Sequence, residues 1–195
     1  MGGQVNLGRS MNGNAVKKLS EDDAEHPFHD KHLVVSGKAS ISTILFLTEK
    51  IKQLEKTIHK VAKLKDEYTL LMTVPGIQKI LALTIMYETG PIERFRKVGN
   101  YASYCRCVGS KKLSNNKKKG EGNRKNGNQY LAWAYVEAAN YAIRFDSVIG
   151  RFYQRKLAKA HRVVAIKSVA HKLARACYYI LRDQVPFDRA KAFGG

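Results

Sequence analysis

Residues 44–61 read ILFLTEKIKQLEKTIHKV. Ile44, Leu47, Ile51, Leu54, Ile58 and Val61 fall alternately three and four residues apart, the a and d positions of a heptad. A repeat of about 3.5 residues keeps one narrow apolar stripe facing a partner helix. The spacing therefore predicts a helix over about Ser40 to Tyr68 and, as its favoured use, a coiled coil joining two copies of the chain. A helix packed on its own domain is the competing use. Lys65 interrupts the series at the next a position, and Tyr68 resumes it at d. No Gly or Pro occurs between Ala39 and Val74, while Glu49 and Glu55 among the lysines allow local pairs on the other faces.

Downstream, Thr73-Val74-Pro75-Gly76-Ile77 precedes Leu81, Ala82, Leu83, Ile85 and Met86. A Pro-Gly turn between two apolar helical patterns is similar to a helix-hairpin-helix, in which Pro75 and Gly76 and the second helix's first N–H groups would face a phosphate. An ordinary helix-to-helix turn is the plain alternative. The second helix should stop at Gly90-Pro91. Phe95, Tyr101, Ala102, Tyr104 and Val108 predict a further short helix. Beyond the next segment, Gln129 to Phe145, Ser147 to Lys159 and Val163 to Arg182 all show helical spacing. Trp133 and the tyrosines of the first of these are expected in the core, base stacking being their other use. His171 is expected to make a structural hydrogen bond. No convincing strand pattern appears, so the fold is read as all-α.

Between the helices lies Gly109 to Tyr130, GSKKLSNNKKKGEGNRKNGNQY. Lys111, Lys112, Lys117, Lys118, Lys119, Arg124 and Lys125 are balanced by one acid, Glu121, and Leu113 is the sole aliphatic residue. Glycines, Asn126, Asn128 and other short polar residues supply turn chemistry. Such a segment cannot bury itself, so it reads as a long flexible loop held by a helical scaffold. Its charge and hydrogen-bond donors suit phosphate.

Composition agrees. The 195 residues carry 35 Lys and Arg against 16 Asp and Glu, a formal net charge of +19, with 44% hydrophobic residues. A core is available, and nucleic acid is the expected partner of so basic a chain. No apolar run is long enough to span a bilayer, and the glycine-rich start lacks a signal-peptide core. A membrane partner is therefore not expected. Cys105, Cys107 and Cys177 read as reduced cytoplasmic thiols. The C-x-C pair lacks the spacing of a structural zinc site, so no metal is expected in this chain. Near the start, Ser20 with Asp23 resembles a helix-capping arrangement, which accounts for the acidic cluster at Glu21 to Glu25 better than metal binding does.

Three ordered stretches carry a resemblance: VPGIQKILALTIMYETGPIERF, NYASYCRCVGSKKLSNNKKKGEGNRKNGNQYLAWAYVEAA and RKLAKAHRVVAIKSVAHKLARACYYILRD. Together they resemble the carboxy-terminal domain of the insertion-sequence transposases that bear an amino-terminal RuvC-like domain with a D-E-D-D acidic set, also described as bridge-RNA-guided recombinases. The resemblance covers Leu70 to Asp188 closely, with Ser40 to Tyr68 similar to the family's coiled-coil linker. It implies a serine nucleophile upstream of a K-x-G-N-like segment, which here is Ser114 before Lys125-Asn126-Gly127-Asn128. It implies strand cleavage and rejoining through a phosphoserine link to DNA, with the loop's lysines and Arg124 holding phosphates and Asn126 and Asn128 orienting backbone or nucleic acid. The partners it implies are DNA (element ends and target), a structured guide RNA and a second copy of the chain. Its divalent metal, magnesium, belongs to the RuvC-like domain, whose acidic pattern this sequence does not reproduce. The chain is thus expected to be a carboxy-terminal piece of a bacterial, cytoplasmic, nucleoid-associated transposase, incomplete when alone. The alternative is a non-catalytic helical DNA- or RNA-binding protein.

The organisation expected is a largely flexible connector over 1–39, a coiled-coil helix over 40–69, a carboxy-terminal transposase domain over 70–188 and a flexible tail over 189–195.

Overall fold

In a computed structural model the described residues are 20–24, 30–62, 65–108, 111–114, 117–121 and 126–194, with backbone alone described for Glu21, Ala24, 111–114 and 117–121. The chain divides into two compact units, Met1–Val61 and Ala62–Gly195.

The first unit is dominated by helix α1, Lys31–Ala62, whose final residue is counted with the second unit. It begins nine residues before the predicted start at Ser40, because Asp30 caps it: the His32 N–H donates to Asp30 Oδ1 at 2.7 Å. Before it, a 3-10 turn spans Glu21–Ala24, closed by Ser20 N and Ser20 Oγ donating to Asp23 Oδ2 at 2.7 and 2.9 Å. The Ser20–Asp23 arrangement is therefore formed, on a turn shorter than an α-helix. All six heptad positions from Ile44 to Val61 are exposed, with Leu54 at 62%. The helix stops at Ala62 rather than running on to Tyr68. Lys65 is extended, at φ −106° and ψ 126°, and starts a new helix. Tyr68, read as the next d position, is instead buried in the core of the second unit.

The second unit is a helical bundle. It contains α2 (Asp66–Leu71), α3 (Lys79–Thr89), a 3-10 turn (Ile92–Arg94), α4 (Val98–Tyr104), α5 (Gln129–Phe145), α6 (Ser147–Leu157), α7 (Arg162–Asp183) and α8 (Arg189–Phe193). The all-α reading holds. The one addition is an antiparallel two-stranded hairpin within the basic segment, β1 (Lys111–Ser114) and β2 (Lys117–Glu121).

Helix α7 is the spine, contacted by α2, α4, α5, α6, α8 and the 3-10 turn. Small residues permit this: Ala134, Ala138, Ala139 and Ala142 of α5 and Ala165, Ala170 and Ala174 of α7 are buried, so helix backbones approach closely. Helix α3 ends as predicted, with Gly90 at φ 61° and its N–H donating to Met86 O.

Polar groups inside this core are paired. Tyr101 Oη lies 2.9 Å from Thr89 Oγ1 and 2.6 Å from Tyr135 Oη, and Tyr178 Oη donates to Phe95 O at 3.0 Å. The first two contacts join α3, α4 and α5, and the third ties α7 to the end of the 3-10 turn. Asp146 separates α5 from α6. One of its oxygens accepts from the Val148 and Ile149 N–H groups at 2.9 and 3.1 Å, and the other accepts from Arg189 Nη2 at 2.8 Å. A buried carboxylate is thus capped on one side and ion-paired on the other.

That ion pair corrects the expected flexible tail. Residues 189–193 form α8, Phe193 is 3% exposed, and its ring meets Phe152 edge-on at 5.5 Å. The core expectation for α5 is met by Tyr135 but not by Trp133, which is 49% exposed, nor by Tyr130 and Tyr141, also exposed. The alanines occupy the face turned inward, so the larger rings between them are left outside.

Candidate nucleic-acid interface

The basic segment rises from a closed neck. At its entry α4 ends in a Schellman-type turn: Arg106 N donates to Ser103 O and Cys107 N to Ala102 O, with Arg106 left-handed at φ 54°. A non-glycine residue there is strained by about 1–2 kcal/mol. The Arg106 side chain has a task that glycine lacks, since Nη2 donates to Gly127 O at 2.8 Å. At the exit, Asn128 N donates to Tyr104 O at 2.7 Å. Gly127, at φ 93°, passes so near that a Cβ would lie 2.4 Å from Tyr104 O.

Asn128 ties the neck to the scaffold. Its Oδ1 accepts from Tyr130 N and Leu131 N at 2.8 and 3.0 Å, capping α5, and its Nδ2 donates to Glu88 Oε2 of α3 at 2.6 Å. Its amide is thereby committed on both atoms to holding the loop's end. Asn126 and Gly127 are exposed beside it.

Above the neck, β1 and β2 pair Lys111 with Glu121, Lys112 with Gly120, Leu113 with Lys118 and Ser114 with Lys117. The register shifts after Lys112, and Lys119 falls in that shift. Ser114 is the last residue of β1, at the end of the ladder farthest from the neck. Lys111, Lys112, Lys117, Lys118 and Lys119 share this hairpin, whereas Arg124 and Lys125 lie outside the described residues.

Pro75 and Gly76 sit in the turn between α2 and α3, as read. Gly76 has φ 85°, and a Cβ on it would meet Ala138 O of α5 at 2.2 Å. The glycine is needed for this close packing as well as for the turn. No side chain caps the start of α3, where Gln78, Lys79 and Ile80 are exposed. Thr73 Oγ1 accepts from Phe187 N at 2.9 Å, fastening the turn to the chain after α7. Tyr130, read with the other rings of this helix as core, is exposed with Trp133 on the first turns of α5, directly after the neck. The sequence reading did not single out Arg106 or Glu88.

The thiols offer no competing chemistry. Burial pushes Cys107 and Cys177 up to about 12, with Lys167 drawing Cys107 back only in part, and burial raises Cys105 as well. They stay protonated at neutral pH and are poor nucleophiles. Among the described residues no three His, Cys, Asp or Glu side chains gather as metal ligands. No helix of the described residues is long and apolar enough to cross a membrane.

A helical scaffold that closes a neck beneath a lysine-rich hairpin has the layout of a domain built to meet polyanions. Residues 68–154 match the family model described as "Transposase IS116/IS110/IS902 family", so that over this stretch the chain is similar to an insertion-sequence transposase. The family is one of DNA-modifying enzymes, with DNA as partner. No curated protein matches the chain.

Proposed function

We propose that this chain breaks and rejoins DNA strands during transposition, with Ser114 as nucleophile. The observation that carries the reading is the family match over residues 68–154, which contains the turn, the neck and the whole basic hairpin. In the step, Ser114 Oγ bonds to a backbone phosphorus while the bond from phosphorus to a deoxyribose oxygen breaks, and that oxygen leaves with the proton. Charge develops on the non-bridging oxygens. The hairpin lysines and Arg124 and Lys125 supply counter-charge to it. The covalent link preserves the bond energy needed for rejoining.

Pro75, Gly76 and the uncapped start of α3 are a second phosphate contact in this reading. Exposed Tyr130 and Trp133 offer faces for unpaired bases. The chain acts as a homodimer through the heptad stripe of α1, with element ends and target as its DNA and a structured guide RNA as a further partner. Magnesium would be held by a RuvC-like domain acting with this one; the described residues provide no ligand set for it.

The test is a nicked element-end substrate that traps the covalent intermediate, used with magnesium and a full-length relative present. A denaturant-resistant adduct that maps to Ser114 and vanishes in Ser114→Ala, with DNA binding retained, is expected. Salt-sensitive binding with no adduct from either protein would leave the non-catalytic binding reading.

A further inference from the structure

From Ser147 to Arg182 the chain carries nine Lys or Arg residues and no Asp or Glu. Helices α6 and α7, which fill most of that stretch, pack on one another. Lys156 of α6 and Lys172 of α7 hold their ammonium groups 5.5 and 5.2 Å from the centroid of the same ring, Phe152. At about 100° per residue, Lys167, His171, Lys172, Arg175 and Arg182 fall on one side of α7. Arg175 and Arg182, with Tyr179, line a cleft of about 1000 Å³ that continues to α8, beyond the acid-free stretch, where Asp183 and Asp188 also line it. Burial first, then Arg175, Lys156 and Arg155, push the Lys172 ammonium below its ordinary value, so these charges feel one another.

Three other cations of the region have assigned partners: Arg182 pairs with Asp183, Arg189 with Asp146, and Lys172 donates to Ala192 O at 2.9 Å. Among the described residues Lys156, Lys167 and Arg175 make no ion pair. The lysines of α1, by contrast, are interspersed with Glu49 and Glu55. Like charges gathered without acids repel, which a fold gains from only when a polyanion meets them.

We propose that the acid-free face of α6 and α7 binds the phosphate backbone of a nucleic-acid double helix, with Lys156, Lys167 and Arg175 as its contacts. The inference rests on the reading that the chain handles nucleic acid, and adds to it three contacts, Lys156, Lys167 and Arg175, that lie beyond the residues matching the transposase family. From Lys167 to Arg182 the helix rises roughly 22 Å. A duplex carries one charge per about 1.7 Å of axis, so several phosphates lie along that length.

The experiment compares three proteins of known charge: wild type, Lys156→Gln/Arg175→Gln, and Lys52→Gln/Lys56→Gln, whose net charge equals that of the second. Affinity for a DNA duplex, and for an RNA duplex of the same length, is measured across a salt series. Loss of two phosphate contacts lowers the slope of log K against log salt by about 1.8 in magnitude. That change is expected for Lys156→Gln/Arg175→Gln and not for the α1 variant, and Lys156→Arg/Arg175→Lys should restore it. A change on one duplex alone assigns the face to that nucleic acid. Equal slopes for the two Gln variants, or retention of wild type on phosphatidylserine vesicles with no effect on either duplex, would overturn the proposal. Wild type that binds neither duplex would remove the nucleic-acid reading itself. The thermal midpoint of the Gln pair, expected at or above that of wild type, excludes unfolding as the cause.

Discussion

At the residue scale, Asn128 links two jobs that can be separated by mutation. Asp at this position keeps an oxygen for the α5 cap but cannot donate to Glu88, and sets one carboxylate against another where Nδ2 now lies 2.6 Å from Glu88 Oε2. Asn128→Asp should therefore cost roughly 1–3 kcal/mol in a urea titration at pH 7, and adding Glu88→Gln, whose amide donates in return, should recover most of it. Failure of the second change to rescue would sink the pairing. His171 gives a pH signature. Burial first, then Arg175 and Lys172, hold its imidazole below the ordinary 6.5, so the unfolded chain binds the proton more readily. Its contribution is present above pH 6.5 and is lost as pH falls through the unfolded and then the folded value. Stability measured from pH 8 down to pH 5 should fall less steeply for His171→Gln than for wild type.

At the scale of elements, the turn between α2 and α3 depends on a glycine that has no room for a side chain. Gly76→Ala, with φ 85° and Ala138 O at 2.2 Å from the new Cβ, should destabilise by roughly 2–4 kcal/mol. Gly99→Ala, in α4 with nothing within 4 Å of its Cβ, should instead stabilise by about 0.5–1 kcal/mol. Equal midpoints in thermal unfolding would refute the packing account. The sequence made the helices legible because their apolar residues repeat, and Gly90 and Asn128 stand where a cap is required. It did not make the break after Ala62 legible, since no Gly or Pro marks it. The hairpin was hidden too, because KKLS and KKKGE lack the apolar alternation of a half-buried strand. Of the candidate site, the charge and Ser114 could be read along the chain. The neck could not, because Arg106, Tyr104, Glu88 and Gly127 meet only in three dimensions.

For the whole molecule, the formal charge of +19 is unevenly answered by acids. Helix α1 leaves its heptad stripe exposed, from Ile44 at 36% to Leu54 at 62%. In the dimer proposed above, that stripe is the seam. Leu47→Asp/Leu54→Asp should then convert a two-chain species to a single chain in sedimentation equilibrium while leaving the helical circular dichroism of the bundle intact. Wild type that sediments as one chain at micromolar concentration would remove the seam from the account.

The closed neck also bears on how such a domain can change. Because Arg106 grips Gly127 and Tyr104 holds Asn128, everything between them is an exchangeable cassette whose ends are fastened to the scaffold whatever it contains. Doubling the length of a closed loop costs only about 0.6 kcal/mol. Chemistry and charge can therefore be rewritten within the cassette at little expense to the bundle beneath. A chimera that receives, between Cys107 and Asn126, the segment of a protein matching the same family model should fold like the parent and bind nucleic acid like the donor.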